Sequence, residues 1–286
     1  MLENVIPWIL GQMPISWRRA LIGRPDNPSR IATLIHNLLN RVQAGESQVF
    51  ECQGALRGYR MCIDWTRFRS FVYGTWEPAA TSAVVATVQP GMTVIDIGAH
   101  IGYYTLLFAK CVGSAGQVFS FEPLPGNYAL LQKNIGLNNL GHVHALNEAV
   151  FSRAGEITIA VPDEQPNPGS SSVYLNGGVQ NCRVHATSVD VFCEQSGIRP
   201  DVLKMDVEGA EYEVLMGAKE TIARLRPKMM IELHHFDGNI AAHPVPDLLA
   251  DLGYKIQWIE RWHLTSRILA LPGARPSGKQ SAHESH

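Results

Sequence analysis

The apolar residues of this chain follow two rhythms in turn. Short, mainly apolar runs recur at residues 93–97, 117–121, 142–146, 202–206 and 228–233, which reads as strands buried on both faces. Between and around them lie segments of helical spacing at 77–88, 103–112, 126–138, 211–225 and 245–252. The repeated strand–helix order predicts a mostly parallel sheet with helices on both sides. Two further strands, 254–259 and 267–271, close the chain through a short loop. Upstream, Ser29 can cap an amphipathic helix carrying Ile31, Leu34, Ile35, Leu38, Leu39 and Val42 on one face. Apolar runs with glycine punctuation at 48–73 predict a small antiparallel unit. The rhythm breaks after Val150. Residues 156–161 alternate as a strand, 162–172 are rich in Pro, Gly and Ser, 179–186 form another strand, and Thr187 or Ser188 can cap a helix at 189–195. A long irregular loop inside a compact domain is usually functional or disordered. Residues 162–178 are read as a flap over a substrate pocket, with surface disorder as the alternative.

One junction carries chemistry. In Val94-Ile95-Asp96-Ile97-Gly98-Ala99-His100-Ile101-Gly102-Tyr103-Tyr104-Thr105 a buried strand ends in an acid, turns on glycines and enters a helix. Glycine allows positive φ and close approach of a ligand, and the free N–H groups of a helix start favour an anionic group. Such a loop is a nucleotide-cofactor site at the carboxyl edge of an open α/β sheet. The dinucleotide fingerprint G-x-G-x-x-G fails, because His100 and Tyr103 stand where its second and third glycines belong. Asp96 instead precedes the first glycine, where an acid attracts a cationic amino group. S-adenosylmethionine has such a group and a pyrophosphate does not. The next strand runs Val118-Phe119-Ser120-Phe121-Glu122-Pro123. A carboxylate at its tip accepts hydrogen bonds from two ribose hydroxyls, and Pro123 closes the strand. Together the two acid-tipped strands favour a class I methyltransferase over acids that merely cap.

Further along the resemblance narrows. Val202-Leu203-Lys204-Met205-Asp206-Val207-Glu208-Gly209-Ala210-Glu211 resembles the K-x-D-V-E-G-x-E signature of the FkbM-type methyltransferases. Tyr73-Gly74-Thr75-Trp76-Glu77-Pro78 resembles the G-x-x-E-P opening of that family, and residues 227–232 resemble its last acid-tipped core strand. The likeness spans roughly residues 70 to 235. It implies an α/β, Rossmann-like class I fold: a mostly parallel seven-stranded sheet, an antiparallel C-terminal edge hairpin and an N-terminal helical and antiparallel extension. It also implies S-adenosylmethionine as cofactor and O-methylation of a sugar, glycolipid or polyketide-type hydroxyl. The cofactor set expected is Glu77, Asp96, Gly98, Ala99, Gly102, Glu122, Asn147, Ala149 and Asp206. The expected division is an extension at 1–73, a methyltransferase domain at 74–272 with the flap at about 151–187, and a disordered tail at 273–286.

An alcohol is a poor nucleophile while protonated, so a base or a metal is expected beside the cofactor's methyl group. The candidates stand at the ends of the fourth and fifth core strands: Asp206 with Glu208, and Glu232 with His234. His234, with an ordinary pKa near 6.5, is the expected general base; the bland alternative is a histidine hydrogen-bonded at a strand end, as His235 would also be. Asp206, Glu232 and His234 could instead hold a divalent ion, as in catechol-type methyltransferases. Those enzymes place a lysine shortly after the first acidic ligand, where this chain has Gly209, so the expected mechanism is metal-independent. Lys204 should share the face of Asp206 by strand alternation. Glu211 is read as a helix-start acid favoured by the dipole.

Composition adds limits. A 286-residue chain with 45% hydrophobic and 17% charged residues can bury a full core. A formal net charge of −2 gives no electrostatic case for nucleic acid. Cysteines 52, 62, 111, 182 and 193 show no metal-site spacing and read as reduced thiols, which suits the cytoplasm. Residues 1–22 lack the shape of a secretory signal, since Arg18 and Arg19 follow the apolar stretch. No run approaches the ~20 apolar residues that span a bilayer. Trp8, Ile9, Leu10 and Trp17 leave peripheral membrane contact open, with docking on the chain's own domain as the default. The expected partner is a small-molecule or glycan acceptor. The rival functions are a non-catalytic cofactor-binding module and, third, a nicotinamide-dependent oxidoreductase.

Overall fold

The computed structural model describes residues 47–162, 179–235 and 238–273. The expected helix after Ser29, the segment 1–22, nearly all of the flap at 162–178 and the tail at 274–286 lie outside the described residues.

The first two strands, β1 (Ser47–Glu51) and β2 (Arg60–Asp64), pair as an antiparallel hairpin. The expected antiparallel unit stops there, because residues 65–73 are a helix, α1 (Trp65–Tyr73). Asp64 ends the strand and caps the helix, its Oδ1 accepting the Thr66 N–H at 2.8 Å and hydroxyl at 2.6 Å. The spacing of Trp65, Phe68, Phe71 and Val72, all buried, is that of a helix face. Then follow α2 (Pro78–Thr87), β3 (Thr93–Ile97), α3 (Tyr103–Val112), β4 (Gln117–Phe121), α4 (Pro125–Leu137) and β5 (Val143–Leu146). The interruption comprises β6 (Ala149–Val150), β7 (Gly155–Pro162), β8 (Val179–Thr187) and α5 (Val189–Ser196). The core resumes with β9 (Val202–Met205), α6 (Glu211–Met216), α7 (Lys219–Leu225), β10 (Lys228–His234), α8 (Pro244–Asp251), β11 (Tyr254–Arg261) and β12 (Thr265–Pro272).

The main sheet has seven strands in the order β11-β12-β10-β9-β3-β4-β5. β12 runs antiparallel to both its neighbours and the other pairings are parallel. Chain order reverses between β3 and β9, so the crevice at their carboxyl ends is the switch point at which such sheets bind ligands. Period-two alternation sorts the core into two layers. Val94, Val118, Val202 and Leu269 pack with Trp65, Tyr73 and Phe108 on one face. Ile95, Ile97, Leu203, Met205 and Ile231 pack with Val214, Ile222 and Leu249 on the other. Each fully buried side chain of this size contributes about 1.5–3 kcal/mol, which lets β3 carry one paired acid, Asp96, in its interior.

The expected single helix at 211–225 is two, broken at Gly217. A Cβ at Gly217 would collide with the Phe151 carbonyl, so the chain passes too close to that loop for any other residue. Asp190 of α5 then caps α7, accepting from the Glu220 and Thr221 N–H groups at 3.0 and 2.7 Å. β6 pairs with β8, and β8 with β7, in a separate three-stranded sheet. Among the described residues no helix is long and apolar enough to cross a membrane.

Candidate active site

The loop between β3 and α3 lies on the switch point and is held by its own backbone. Gly98 and Ala99 N–H groups both donate to the Phe121 carbonyl, at 3.0 and 2.9 Å, and Gly102 N–H donates to the Ala99 carbonyl. Gly98 has φ +76° and Gly102 φ +97°, conformations that favour glycine. A Cβ at Gly98 would run into the Asp206 carbonyl, and one at Gly102 would lie 2.7 Å from Leu131 Cδ1. Gly98 is therefore required first by packing against the β9 backbone and Gly102 by its backbone conformation, and the ligand-approach argument comes second.

Glu122 lies just past β4 and is 4% exposed. Its Oε2 accepts the His100 N–H at 2.8 Å, and Oε1 accepts from the Leu124 N–H at 3.0 Å and Asn127 Nδ2 at 3.3 Å. A carboxylate has about four acceptor positions, so a pair of ribose hydroxyls competes with the long Asn127 bond. Burial pushes the Glu122 carboxyl up to about 7 against those hydrogen bonds. Asn147 Nδ2 ties the ends of β4 and β5 together through the Glu122 and Pro123 carbonyls, at 2.9 and 3.0 Å. Ala149 packs with Ile159, Val184 and Ala186 in the core of the small sheet, so packing alone accounts for it. His100, with φ +53°, lies edge-on to Phe68 at 5.1 Å, and burial lowers its imidazole to about 4.

Asp96 departs from its expected role. It is wholly buried, accepts from the Thr105 hydroxyl at 2.7 Å and pairs with Lys204 Nζ at 3.5 Å. Its charge faces a lysine beneath the loop and is not open to a ligand's ammonium. Lys204 also donates to the Gly98 carbonyl at 3.0 Å and pairs with Asp206 at 3.5 Å, as strand alternation predicts. Burial pulls Lys204 down, but Asp206 and Asp96 outweigh it and hold the ammonium above its ordinary value. Asp206 is held below its ordinary value because Lys204, His234 and Arg267 outweigh its burial.

Arg267, from β12, organises the far side and was not singled out by sequence reasoning. It binds Glu232 through Nε at 3.1 Å and Nη2 at 2.9 Å, Glu260 through Nη1 at 2.8 Å and Glu77 through Nη2 at 2.7 Å. Glu77 sits at φ +38° before α2 and also accepts the Tyr104 hydroxyl at 2.6 Å. Arg267 faces Glu232 across the β10–β12 register, so the signal was there, but it needs the pairing. The expected ligand trio of Asp206, Glu232 and His234 is thereby corrected. Glu232 is committed to Arg267, and the donors that converge are those of Asp206, Glu208 and His234, all within 4.8 Å of one another.

Glu208, at φ +52°, brings Oε2 to 3.4 Å from His234 Nε2. Burial and the Asp206 charge push Glu208 up to about 8, and burial with Asp206 does the same to Glu232. Glu211 is more than a helix-start acid. Fully buried, it accepts the Gly209 N–H at 2.9 Å and meets His234 Nδ1 at 2.7 Å. Despite burial, the His234 and His243 hydrogen bonds lower Glu211 to about 2. The partnership with Glu211 and the charges of Asp206 and Glu208 overcome burial and raise His234 to about 10. In place of the expected free imidazole, His234 is one whose surrounding carboxylates favour a positive charge at this position, a proton or another cation serving equally. His235 meets the Ser266 hydroxyl through Nε2 at 3.2 Å, away from the group of Asp206, Glu208 and His234.

Among the described residues, Glu77, Asp96, Asp206, Glu208, Glu211 and Glu232 thus face Lys204, Arg267 and His234, with His243 3.8 Å from Glu211. A group with a sulfonium and an ammonium against one carboxylate fits this negative surround, and a pyrophosphate does not. Seven strands in this order, a glycine loop on the switch point and an acid at the next strand's tip define a class I methyltransferase. The methyltransferase FkbM domain model matches residues 96–256. The chain belongs to the FkbM methyltransferase family and is a methyltransferase, which sets aside the oxidoreductase and the non-catalytic module. It is 26% identical over 185 residues to the 2-O-methyltransferase NoeI of Sinorhizobium fredii, covering 56% of this chain and 73% of that protein. It is 29% identical over 145 residues to the hexuronic acid methyltransferase AglP of Haloferax volcanii, covering 49% of this chain and 54% of the relative. Among solved structures it is similar to a methyltransferase FkbM from Methylobacillus flagellatus, with TM-score 0.44 and 15% identity over 73% of this chain and 56% of that one. The chain thus spans little more than half the length of the last two.

Proposed function

We propose that this protein transfers a methyl group from S-adenosylmethionine to a hydroxyl of a sugar, free or within a glycan or glycolipid. The observation that carries the reading is the arrangement at the switch point: a self-held glycine loop beside Glu122, opposite the acid-rich ends of β9 and β10. The cofactor would supply a methyl group on a positively charged sulfur. Glu122 would take a ribose hydroxyl, displacing Asn127, and the start of α3 would favour the cofactor's carboxylate. Asp96 would act through Lys204, fixing the floor of the crevice. Glu77, Glu232 and Arg267 would form the wall of that crevice, and Asp206, Glu208 and His234 would receive the acceptor hydroxyl. Transfer to oxygen is supported by the relative named a 2-O-methyltransferase, and a sugar acceptor by the relative named a hexuronic acid methyltransferase.

Methyl-labelled cofactor incubated with a panel of uronic acids, neutral sugars and lipid-linked oligosaccharides tests it. The expected product is a labelled methyl ether resistant to mild base. Label in a carboxylate ester or an amine would overturn transfer to a hydroxyl, and failure of calorimetry to detect S-adenosylhomocysteine binding would overturn the cofactor.

A further inference from the structure

Three donors of two chemical kinds meet beyond β9 and at the end of β10. One oxygen each of Asp206 and Glu208 and a nitrogen of His234 lie within 4.8 Å of one another. Donors about 2.1 Å from a small divalent ion stand roughly 3 Å apart when adjacent and roughly 4 Å when opposite. His234 Nε2 and Glu208 Oε2, 3.4 Å apart, fall within that range, and the 4.8 Å bound on the whole set leaves a small side-chain adjustment to close it on an ion. The set is also one-sided. His234 is 7% exposed, whereas the side chains of Asp206 and Glu208 are 30% and 28% exposed. Three protein donors with an open face are the plan of a catalytic metal centre, in contrast to a closed structural one.

An independent feature stands behind the histidine. Its far nitrogen, Nδ1, is 2.7 Å from Glu211, a carboxylate with no exposed surface. Glu211 is itself fixed by the Gly209 N–H, and His243 Nε2 stands 3.8 Å from its other oxygen. His243 Nδ1 accepts the Val245 N–H at 3.3 Å, which leaves the proton on Nε2, toward Glu211. A buried carboxylate on the outer nitrogen is how ligating histidines are oriented and made more basic. Farther out, the surrounding carboxyls outnumber their permanent cations, Lys204 and Arg267. Two carboxylates and an open face for water suit Mn²⁺ or Mg²⁺, and Mn²⁺ also accepts the imidazole.

We infer that Asp206, Glu208 and His234 bind a divalent cation, Mn²⁺ or Mg²⁺, with Glu211 as the residue that positions His234. The role of the ion, to acidify and place the acceptor hydroxyl, rests on the methyltransferase reading; its binding does not.

Protein stripped with a chelator and titrated with MnCl₂, with free Mn²⁺ followed by electron paramagnetic resonance, tests the site. One Mn²⁺ per chain is expected. Glu208→Gln and His234→Ala should abolish binding, and Glu211→Gln should weaken it by about 10–100-fold. Glu232→Gln should leave it within about twofold, since Arg267 holds that carboxylate. Calorimetry with S-adenosylhomocysteine on the same metal-free proteins shows whether each variant is folded and separates the two readings. Wild-type protein that binds the nucleotide but no Mn²⁺ overturns the ion site, as does full Mn²⁺ binding by folded Glu208→Gln. Mn²⁺ bound as expected without nucleotide binding upholds the ion site and sinks the cofactor assignment.

Discussion

The two halves of the crevice are built on opposite plans. On the β3–β4 side, the loop satisfies its own polar groups over short distances in sequence, from Gly98 and Ala99 to Phe121 and from His100 to Glu122. On the β9–β10–β12 side, the charged groups come from far apart in the chain, Glu77 meeting Arg267 and Lys204 meeting Asp96. The first half is a shape that exists before any ligand arrives. The second is a concentration of carboxyls that its own cations do not balance, and such a site is completed by what it binds. Rigidity therefore belongs to the cofactor side and chemistry to the acceptor side.

The largest expected effect comes from removing the cation that holds the acceptor side together. Arg267→Met leaves Glu232, Glu77 and Glu260 without their shared partner. Breaking a buried pair on one side costs about 3–5 kcal/mol, which urea unfolding would show. A loss below about 1 kcal/mol, the worth of an exposed pair, would mean that the network is better solvated than its burial indicates.

Gly98→Ala attacks the cofactor side and should cost about 2–4 kcal/mol, from a strained φ and a collision with the Asp206 carbonyl. Nucleotide binding should fall with it. If Arg267→Met weakens nucleotide affinity as much as Gly98→Ala does, the two halves are not separable and the comparison breaks.

Glu122→Ala should lower affinity for S-adenosylhomocysteine by about tenfold or more without unfolding the protein, through loss of a charge-assisted acceptor. Unchanged affinity by calorimetry would remove Glu122 from the ribose.

The smallest effect is one of pH. Burial raises Glu122 to about 7 from an ordinary 4.5. In the free protein, ionisation of this group opposes folding, so its contribution to stability falls as pH rises from 4.5 to about 7 and is level above that. The ionised carboxylate is the better acceptor, so nucleotide affinity should rise a few-fold through about pH 7 in the wild type relative to Glu122→Gln. Parallel profiles for the two proteins would show that Glu122 is ionised throughout.

Local signals placed the rigid half well. Residues 93–97, 103–112 and 117–121 fold with the bounds their apolar rhythm implies, because strand–loop–helix units bury their faces against near neighbours. The helix at 65–73 had its cap, Asp64, and its buried face in plain view, and only the glycine punctuation around it suggested strands. The break at Gly217 had no comparable local signal, since it depends on Phe151 and Asp190.

What the sequence by itself determined is the order of strands and helices, the glycine loop on the switch point and the acids at the strand tips. Periodicity and backbone freedom are properties of adjacent residues, so they can be read from adjacent residues. What only the tertiary structure decided is which acid meets which cation. Asp96 turned inward to Lys204, Glu232 went to Arg267, and Glu208 took its place beside Asp206 and His234. Charges act through space, and which carboxylate stays available is settled by the register of β10 on β12 and the turn at Glu208, neither of which is written in the spacing of the acids.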